Sequence, residues 1–373
     1  MYSYTIVHSL TGERRAEVTA SVVSATWTTR MHSAGEGKVA LRLRGTDLLD
    51  QAEWREFTAH WYNTLVVSWD GVAVYAGLIA ERQWEAAEGV LTVNLVELRN
   101  EMSWRFTSDV AAYDPTQALR ITDKSKRGMA RAIVQSALNR GDSPNWDYPV
   151  ALGVDEAGTE SLEVFHYEMR LMEHLLREVQ DSDGGPDVHL NPAWSDVAGS
   201  PTGALFSWLL ELGTPRLPGA TFGFSQSAPV SPVLNPILVE DGRRMTTGVL
   251  VAGKGSEHDM ATGKGGYHMA ELNLPPTQAP WRDRTVAFKS ISDQASLNAL
   301  GVAELRSHVY AAKLKKFRLR VGGDASPALL RLGSRVGVWT EGDEFEPENT
   351  FNGYLVGLSG SSRMDLALEL VPL

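Results

Sequence analysis

The chain has 373 residues, 43% hydrophobic and 22% charged, with a formal net charge of −11, the balance of a globular protein with room for roughly two to four domains. The acidic excess argues against a grip on duplex DNA, which needs a basic face to release counterions, although a polyanion can slide past such a surface without sticking. The complete lack of cysteine excludes disulfides, thiolate zinc sites, iron–sulfur clusters and thiol nucleophiles.

No apolar run reaches the roughly 18–20 residues of a membrane helix. The opening Met1-Tyr2-Ser3-Tyr4-Thr5 has neither the basic nor the apolar region of a signal peptide. The expectation is a chain made and kept in a cytoplasm unless a larger particle carries it out. Eleven tryptophans are scattered with no repeat that would line a sugar-binding groove, so they read as anchors of cores and interfaces.

In chain order, residues 1–112 read as a first β domain. Tyr4-Thr5-Ile6-Val7 opens it, Gly12-Glu13 turns, and Lys38 to Arg44 alternates apolar with polar as a half-buried strand does. Asp47 to Trp61 reads as a short helix or irregular arm with Leu48, Leu49, Ala52 and Trp54 on its apolar face. Thr64 to Trp69 and Val72 to Gly77 flank Asp70-Gly71, a type I′ hairpin signal because both central residues must reach positive φ. Leu78 to Trp84 continues as strand, and Glu88-Gly89 turns into Val90 to Val96.

Residues 113–232 change character and read as an α/β insert. Asp123 is the expected cap of a helix carrying Met129, Ala130, Ile133, Val134 and Leu138, stopped by Gly141. A second helix is expected from Glu168 to Gln180, with Met169, Met172, Leu175, Leu176 and Val179 as its stripe and Asp181-Ser182-Asp183-Gly184-Gly185-Pro186 as its stop. Asp187 to Pro192 then reads as a strand.

The β pattern returns over 233–284, with Ile237 to Glu240 and Met245 to Val251 around a second turn at Asp241-Gly242, then a long Gly- and Pro-rich loop over 253–284. Residues 285–373 hold a helix from Asp293 to Lys313, with Leu297, Leu300, Ala303, Leu305 and Val309, and further strands at Phe317–Val321, Arg335–Trp339, Phe351–Leu358 and Met364–Leu370. Gly333-Ser334 makes a corner among them. The fold class is mainly β with an α/β insert.

The chemistry-bearing motifs all fail on physical grounds. Gly248 to Gly255 nearly matches a phosphate-binding loop, but its interior is a Val-Leu-Val strand, Gly255 lacks the magnesium-binding hydroxyl, and no helix follows. Among nine histidines, His258-Asp259 with His268 is the nearest to a ligand cluster, yet it lies in a Gly-rich segment that reads as a solvated loop. Asp181 to Gly184 echoes a calcium loop without the glycine and glutamate that such a loop needs at its later positions, and reads as a helix C-terminal turn. Glu168 and Glu173 are candidates for a glycosidase pair, a chemistry that only geometry reveals; their helix is already explained by its core face. No catalytic, cofactor-binding or metal-binding residue is assigned, and no cofactor is expected.

Several groups of residues follow one another in a particular order. Trp69-Asp70-Gly71 leads to Val74-Tyr75-Ala76-Gly77-Leu78-Ile79, with its Tyr-x-Gly-x-Ile spacing. A helix ends before Gly184-Gly185 and is followed by Asn191-Pro192. Val239-Glu240-Asp241-Gly242 runs into Thr247 to Gly255, then come Ser290-Ile291-Ser292-Asp293 with Leu297 and Leu300. Last stands Gly333-Ser334-Arg335-Val336, with Ser334 where Asp is usual. In this order the chain resembles the hub proteins of phage tails, in particular minor tail proteins of siphoviruses that infect actinobacteria.

The resemblance implies a structural baseplate hub rather than an enzyme. It implies two barrel-like domains, in 1–112 and 285–373, around the insert, with 233–284 completing the barrel region. A homotrimer of such subunits presents six similar units, adapting a hexameric tail tube to a trimeric tip. Implied partners are a distal tail or tube protein above and tip or receptor-binding proteins below, with genomic DNA passing unbound and no membrane-spanning segment. The implied location is the virion tail tip, after assembly in the host cytoplasm. A tail-associated cell-wall hydrolase and a receptor- or carbohydrate-binding tail protein are the alternatives.

Overall fold

The computed structural model describes residues 1–45, 48–108, 113–140, 147–195, 205–243, 245–255, 260–265, 282–287, 291–308, 312–345 and 347–373. Gly141, Ser290, Val309 and the His258-Asp259 and His268 group lie outside the described residues. Two compact units result, one from Met1–Pro236 with Lys316–Leu373 and one from Ile237–Lys315.

The first unit begins with β1 (Tyr2–His8), β2 (Arg14–Glu17), β3 (Val22–Arg30), β4 (Glu36–Arg42), α1 (Gln51–Phe57), β5 (Asn63–Trp69), β6 (Val72–Glu85) and β7 (Val90–Val96). Asp70 and Gly71 have φ of 48° and 84°, as the expected two-residue turn demands, and Trp69 faces Val72 across it. The nearly continuous apolar run of β5 has a simple cause: both of its faces are covered. Leu65 and Val67 point into a core with Ile6, Tyr75 and Ile79. Val66, on the other face, joins Val7, Ala76 and Leu78 in a second core shared with the insert.

The insert holds β8 (Ala118–Lys124), α2 (Lys126–Leu138), β9 (Val150–Ala151), β10 (Glu160–Phe165), α3 (Met172–Asp181), β11 (Val188–Ser195) and β12 (Leu205–Leu212). Two small sheets, β10-β8 and β11-β12-β9, pack with the helices. The cap of α2 is Ser125, whose hydroxyl accepts from the Gly128 amide at 3.0 Å. Asp123, the expected cap, has φ of 56° near the end of β8, and Lys124 is still strand.

Helix α3 also begins later than expected. Glu168 closes a short turn at His166–Glu168, where its carboxylate accepts from the Phe165 amide at 3.0 Å. Met169 follows in the left-handed region with φ of 48° and is 61% exposed, so it leaves the stripe. Met172, Leu175, Leu176 and Val179 remain buried.

After β13 (Thr221–Ser225) and β14 (Val233–Asp241) the chain enters the second unit, which contains β15 (Gly248–Ala252), β16 (Thr262–Gly265), β17 (Asp283–Ala287) and α4 (Gln294–His308). A sheet in the order β16-β15-β17 packs Val249 and Val251 against Leu297 and Leu305 of α4. Three expectations are corrected here. Neither Asp241 nor Gly242 has positive φ, and β14 and β15 join different sheets, so no second hairpin forms. The span 253–284 is not simply a loop, because β16 and the start of β17 lie within it and pair with β15. α4 ends at His308, and Lys313 belongs to the next strand.

The chain returns to the first unit as β18 (Ala312–Arg320), β19 (Arg335–Thr340), β20 (Asn349–Ser361) and β21 (Asp365–Pro372). A 13-stranded sheet follows the path β14-β18-β21-β20-β3-β4-β7-β6-β5-β1-β2, with β13 on β19 and β19 on β20. The fold is mainly β with an α/β insert, as expected. Its two β halves are joined where Gly357–Ser361 of β20 pair with Arg30–Thr26 of β3, and Trp27, Leu41, Phe317 and Leu368 share one core. Among the described residues the pairing path runs from β14 at one end to β2 at the other. β13, inside the span read as insert, pairs in parallel with β19.

The Tyr-x-Gly spacing has a packing reason. The Tyr75 ring is fully buried, and a Cβ on Gly77 would lie 2.7 Å from its hydroxyl and 2.8 Å from Leu95 Cβ. A Cβ on Gly37 would meet the same hydroxyl at 2.9 Å. Both glycines clear room for one aromatic ring.

Candidate functional site

Helix α1 builds the first candidate. Asp50 and Glu53 form a reciprocal cap, each carboxylate accepting from the other's amide at 2.8 Å. Trp54 turns inward and is buried, while Leu48 and Ala52, expected on the apolar face, are exposed. Beside the helix lies a groove of about 640 Å³ lined by Trp54 and Arg55, by Arg82 and Trp84 of β6, by Leu91 of β7, and by Arg44. Arg44 donates to the Ala86 and Ala87 carbonyls at 2.6 and 3.0 Å. Arg82 donates to the Arg55 carbonyl at 3.0 Å and the Thr58 hydroxyl at 3.3 Å. These bonds hold the two guanidiniums in the wall of the groove, which they share with a half-exposed Trp84. Among the described residues Arg44, Arg55 and Arg82 have no carboxylate partner.

The second candidate is a polar seam where the insert meets the large sheet, all within the first unit. Arg99 follows β7 in a short turn and reaches Glu173 at the start of α3. Its Nε and terminal nitrogen donate to the carboxylate at 3.1–3.2 Å, with both side chains about 5–6% exposed. The rest of the guanidinium donates to the Met31 carbonyl at 2.9 Å and Gln180 at 2.6 Å. Glu173 also accepts from Arg177, one turn on, at 2.8 Å.

Next along the seam Asp187 accepts from the Leu217 amide at 3.0 Å and the Tyr354 hydroxyl at 2.8 Å. Arg216 and His32 lie 3.5 and 3.6 Å from it. Burial holds the His32 ring below the usual imidazole range, with Asp187 opposing that shift. Farther in, Glu97 accepts from the Gly35 amide at 2.6 Å. Burial pushes its carboxyl above the usual range, against the pull of His189, Thr29 and the Gly35 amide. His189 lies 3.1 Å from the Thr29 hydroxyl.

Such a seam fixes the geometry of the insert against the sheet. Each charged group meets partners that satisfy it, and packing closes over Arg99 and Glu173. Tyr354 lines a recess of about 480 Å³ next to Arg216. Burial first, then its hydrogen bond to Asp187, raises its pKa well beyond the ordinary tyrosine range. It keeps its proton at neutral pH and donates it to Asp187.

The residues singled out by sequence fall elsewhere. Glu168 and Glu173, expected together on one helix, belong to different elements, and Glu173 is consumed by Arg99 and Arg177. Gly248 to Ala252 is the central strand of the small sheet, and the Gly253 and Lys254 amides donate to Ala261 and Ile291 carbonyls at 2.6 and 2.7 Å. They form no phosphate cradle. Asp181 to Gly184 is the turn after α3, with Gly184 at φ of 67°. Among the described residues no three His, Asp or Glu side chains gather as a metal site. Sequence reasoning missed both candidates. Glu173 carried a usable signal, since it sits between Met172 and Leu176, whereas the groove arginines come from three separate segments.

No protein-family model matches this sequence, and no curated protein does either. The fold is similar to that of the tail protein from Neisseria meningitidis MC58, with a TM-score of 0.59 at 15% identity over 99% of this chain and 96% of that one. It is similar to the 43 kDa tail protein of prophage MuSo2 from Shewanella oneidensis, with a TM-score of 0.58 at 8% identity over 99% and 98%. A chain of the Francisella PdpA–VgrG complex matches with a TM-score of 0.51 at 5% identity, over 100% of this chain and 57% of that one.

Proposed function

We propose that this chain is a structural component of a bacteriophage tail, a baseplate hub of the kind found in siphoviruses of actinobacteria. The observation that carries the reading is the extent of the fold likeness: two tail proteins are matched over nearly their whole length and nearly the whole of this chain. The two β halves joined through β20 and β3 supply the physics. A homotrimer of chains with two β halves each offers six β faces to a hexameric tube and keeps threefold symmetry toward the tip. The formal charge of −11 suits a ring through which DNA passes without being held.

In this reading the chain is no enzyme. Its best-formed polar cluster is a closed lock that pins the insert to the sheet. Its partners are two further copies of itself, a distal tail or tube protein above, and tip or receptor-binding proteins below. The mature location is the virion tail tip, reached after assembly in the host cytoplasm. Immunogold labelling of phage particles with an antibody to this chain tests it: label at the tail tip is the expected result, and label on the head or along the tube, or none on particles, overturns it.

A further inference from the structure

The loop between β19 and β20 reads Glu341-Gly342-Asp343-Glu344-Phe345-Glu346-Pro347-Glu348, five carboxylates with no cation. Phe345 stands 80% exposed in its middle, positioned by its amide donating to the Asp343 carboxylate at 2.8 Å. Glu341, Glu344 and Glu348 make no ion pair among the described residues. These three carboxylates lack cations among the described residues, and the bare phenyl ring beside them lacks an apolar seat. The groove beside α1 has no carboxylate among its described lining residues and offers three guanidiniums around Trp84 and Leu91.

Within one copy the two features lie far apart along the sheet. β20 runs from Asn349 at the loop to Gly357, whose partner is Arg30. β3 then leads from Arg30 to Val22, opposite Leu41, which in turn faces Leu91 of the groove. That path spans on the order of 50 Å at about 3.3 Å per residue. Loop and groove therefore occupy opposite ends of the sheet.

The geometry points to a head-to-tail contact between copies: the Glu341–Glu348 loop of one chain seats Phe345 in the Arg44, Arg55, Arg82 and Trp84 groove of the next. The occupant is a second copy of this chain, identified by charge and by the aromatic ring. Carboxylates meeting guanidiniums make charge-assisted bonds, and an aromatic anchor filling a groove is the usual centre of binding energy. Unlike surfaces joined in this way repeat around a rotation and close into a ring. The inference rests on the ring proposed above and specifies its seam.

The lack of cysteine makes the test clean. Full-length Gly342→Cys and Gln51→Cys chains, mixed and oxidised, are expected to give a mixed disulfide in preference to either homodimer. Phe345→Ala should weaken association about tenfold or more. The double change Arg55→Glu with Arg82→Glu should abolish the cross-link, and Glu341→Lys with Glu344→Lys on the other chain should restore it. No mixed disulfide at about 100 µM protein, or association unmoved by these charge reversals, overturns the contact. A threefold native mass that survives Phe345→Ala keeps the ring while overturning this seam. A cross-link at this pair in a chain that labels away from the tail tip keeps the seam and overturns the placement.

Discussion

The seam beneath α3 and the groove beside α1 use the same groups, arginine among carbonyls and aromatic rings, in opposite surroundings. In the seam Arg99 has a carboxylate, an amide oxygen and a backbone carbonyl, and its side chain is almost out of water. In the groove Arg44 and Arg82 have carbonyls and a hydroxyl, with no carboxylate among the described residues. A buried charge without its counterion costs several kcal/mol, so a buried site is completed within the chain. An exposed guanidinium is solvated and carries no such compulsion. The difference separates groups that hold one fold in place from groups left open for a second molecule.

The largest expected effect tests the closed side. Glu173→Met leaves Arg99 without its counterion and should lower unfolding free energy by about 3–5 kcal/mol, read by chemical denaturation. Adding Arg99→Met should recover most of that loss, since two apolar side chains need no partners there. A single change costing under about 1 kcal/mol would mean that water reaches the pair, and the contrast with the groove would collapse.

Asp187 sits at the end of the seam where Arg216 and His32 reach solvent. Asp187→Ala strands the buried Leu217 amide, while the Tyr354 hydroxyl can still donate to the Leu217 carbonyl, 3.0 Å away. The expected loss is about 1–3 kcal/mol, less than for Glu173 because the neighbouring cations keep their water. Thermal denaturation of both variants side by side ranks the closed and open ends of one network.

Glu97 sharpens the comparison through pH. Burial raises its carboxyl in the folded chain, so between the unfolded and folded values the native state holds the extra proton. Stability therefore falls as pH rises from the ordinary glutamate range through the raised value, and the contribution is fully present only below the ordinary range of the unfolded chain. Glu97→Gln can still accept from the Gly35 amide and should flatten that fall, measured by denaturation between about pH 4 and pH 8. An unchanged slope would assign the pH dependence to other groups.

Much of this architecture was legible where signals are local. The Asp70-Gly71 hairpin, the stripe of Met172, Leu175, Leu176 and Val179, and most strands of the C-terminal half stand where short-range pattern puts them. Helix ends were misplaced by a few residues for local reasons, as at Asp123 and Met169, but the failures of topology share one cause, long-range partnership. Asp241-Gly242 offers the same dipeptide as Asp70-Gly71, but its flanking strands pair elsewhere. The union of β20 with β3 joins residues more than 300 positions apart, and no local period announces it. Arg44, Arg55 and Arg82 converge from three elements, so the groove has no spacing to find. The acidic loop did carry a local signal, five carboxylates within eight residues, but the sequence reading passed over it.

The smallest expected effect bears on the open side and is the most telling for it. Arg55 and Phe345 are exposed on a helix surface and a loop. Arg55→Ala and Phe345→Ala should each change the unfolding free energy of the isolated chain by no more than about 0.5 kcal/mol. Measured at protein concentrations too low for self-association, that near-zero result separates binding from folding, because the same changes should weaken association between copies. A loss of about 2 kcal/mol or more for either variant would mean that the side chain serves its own fold. The groove and loop would then belong with Arg99 and Glu173 as internal structure rather than with surfaces kept open for a partner.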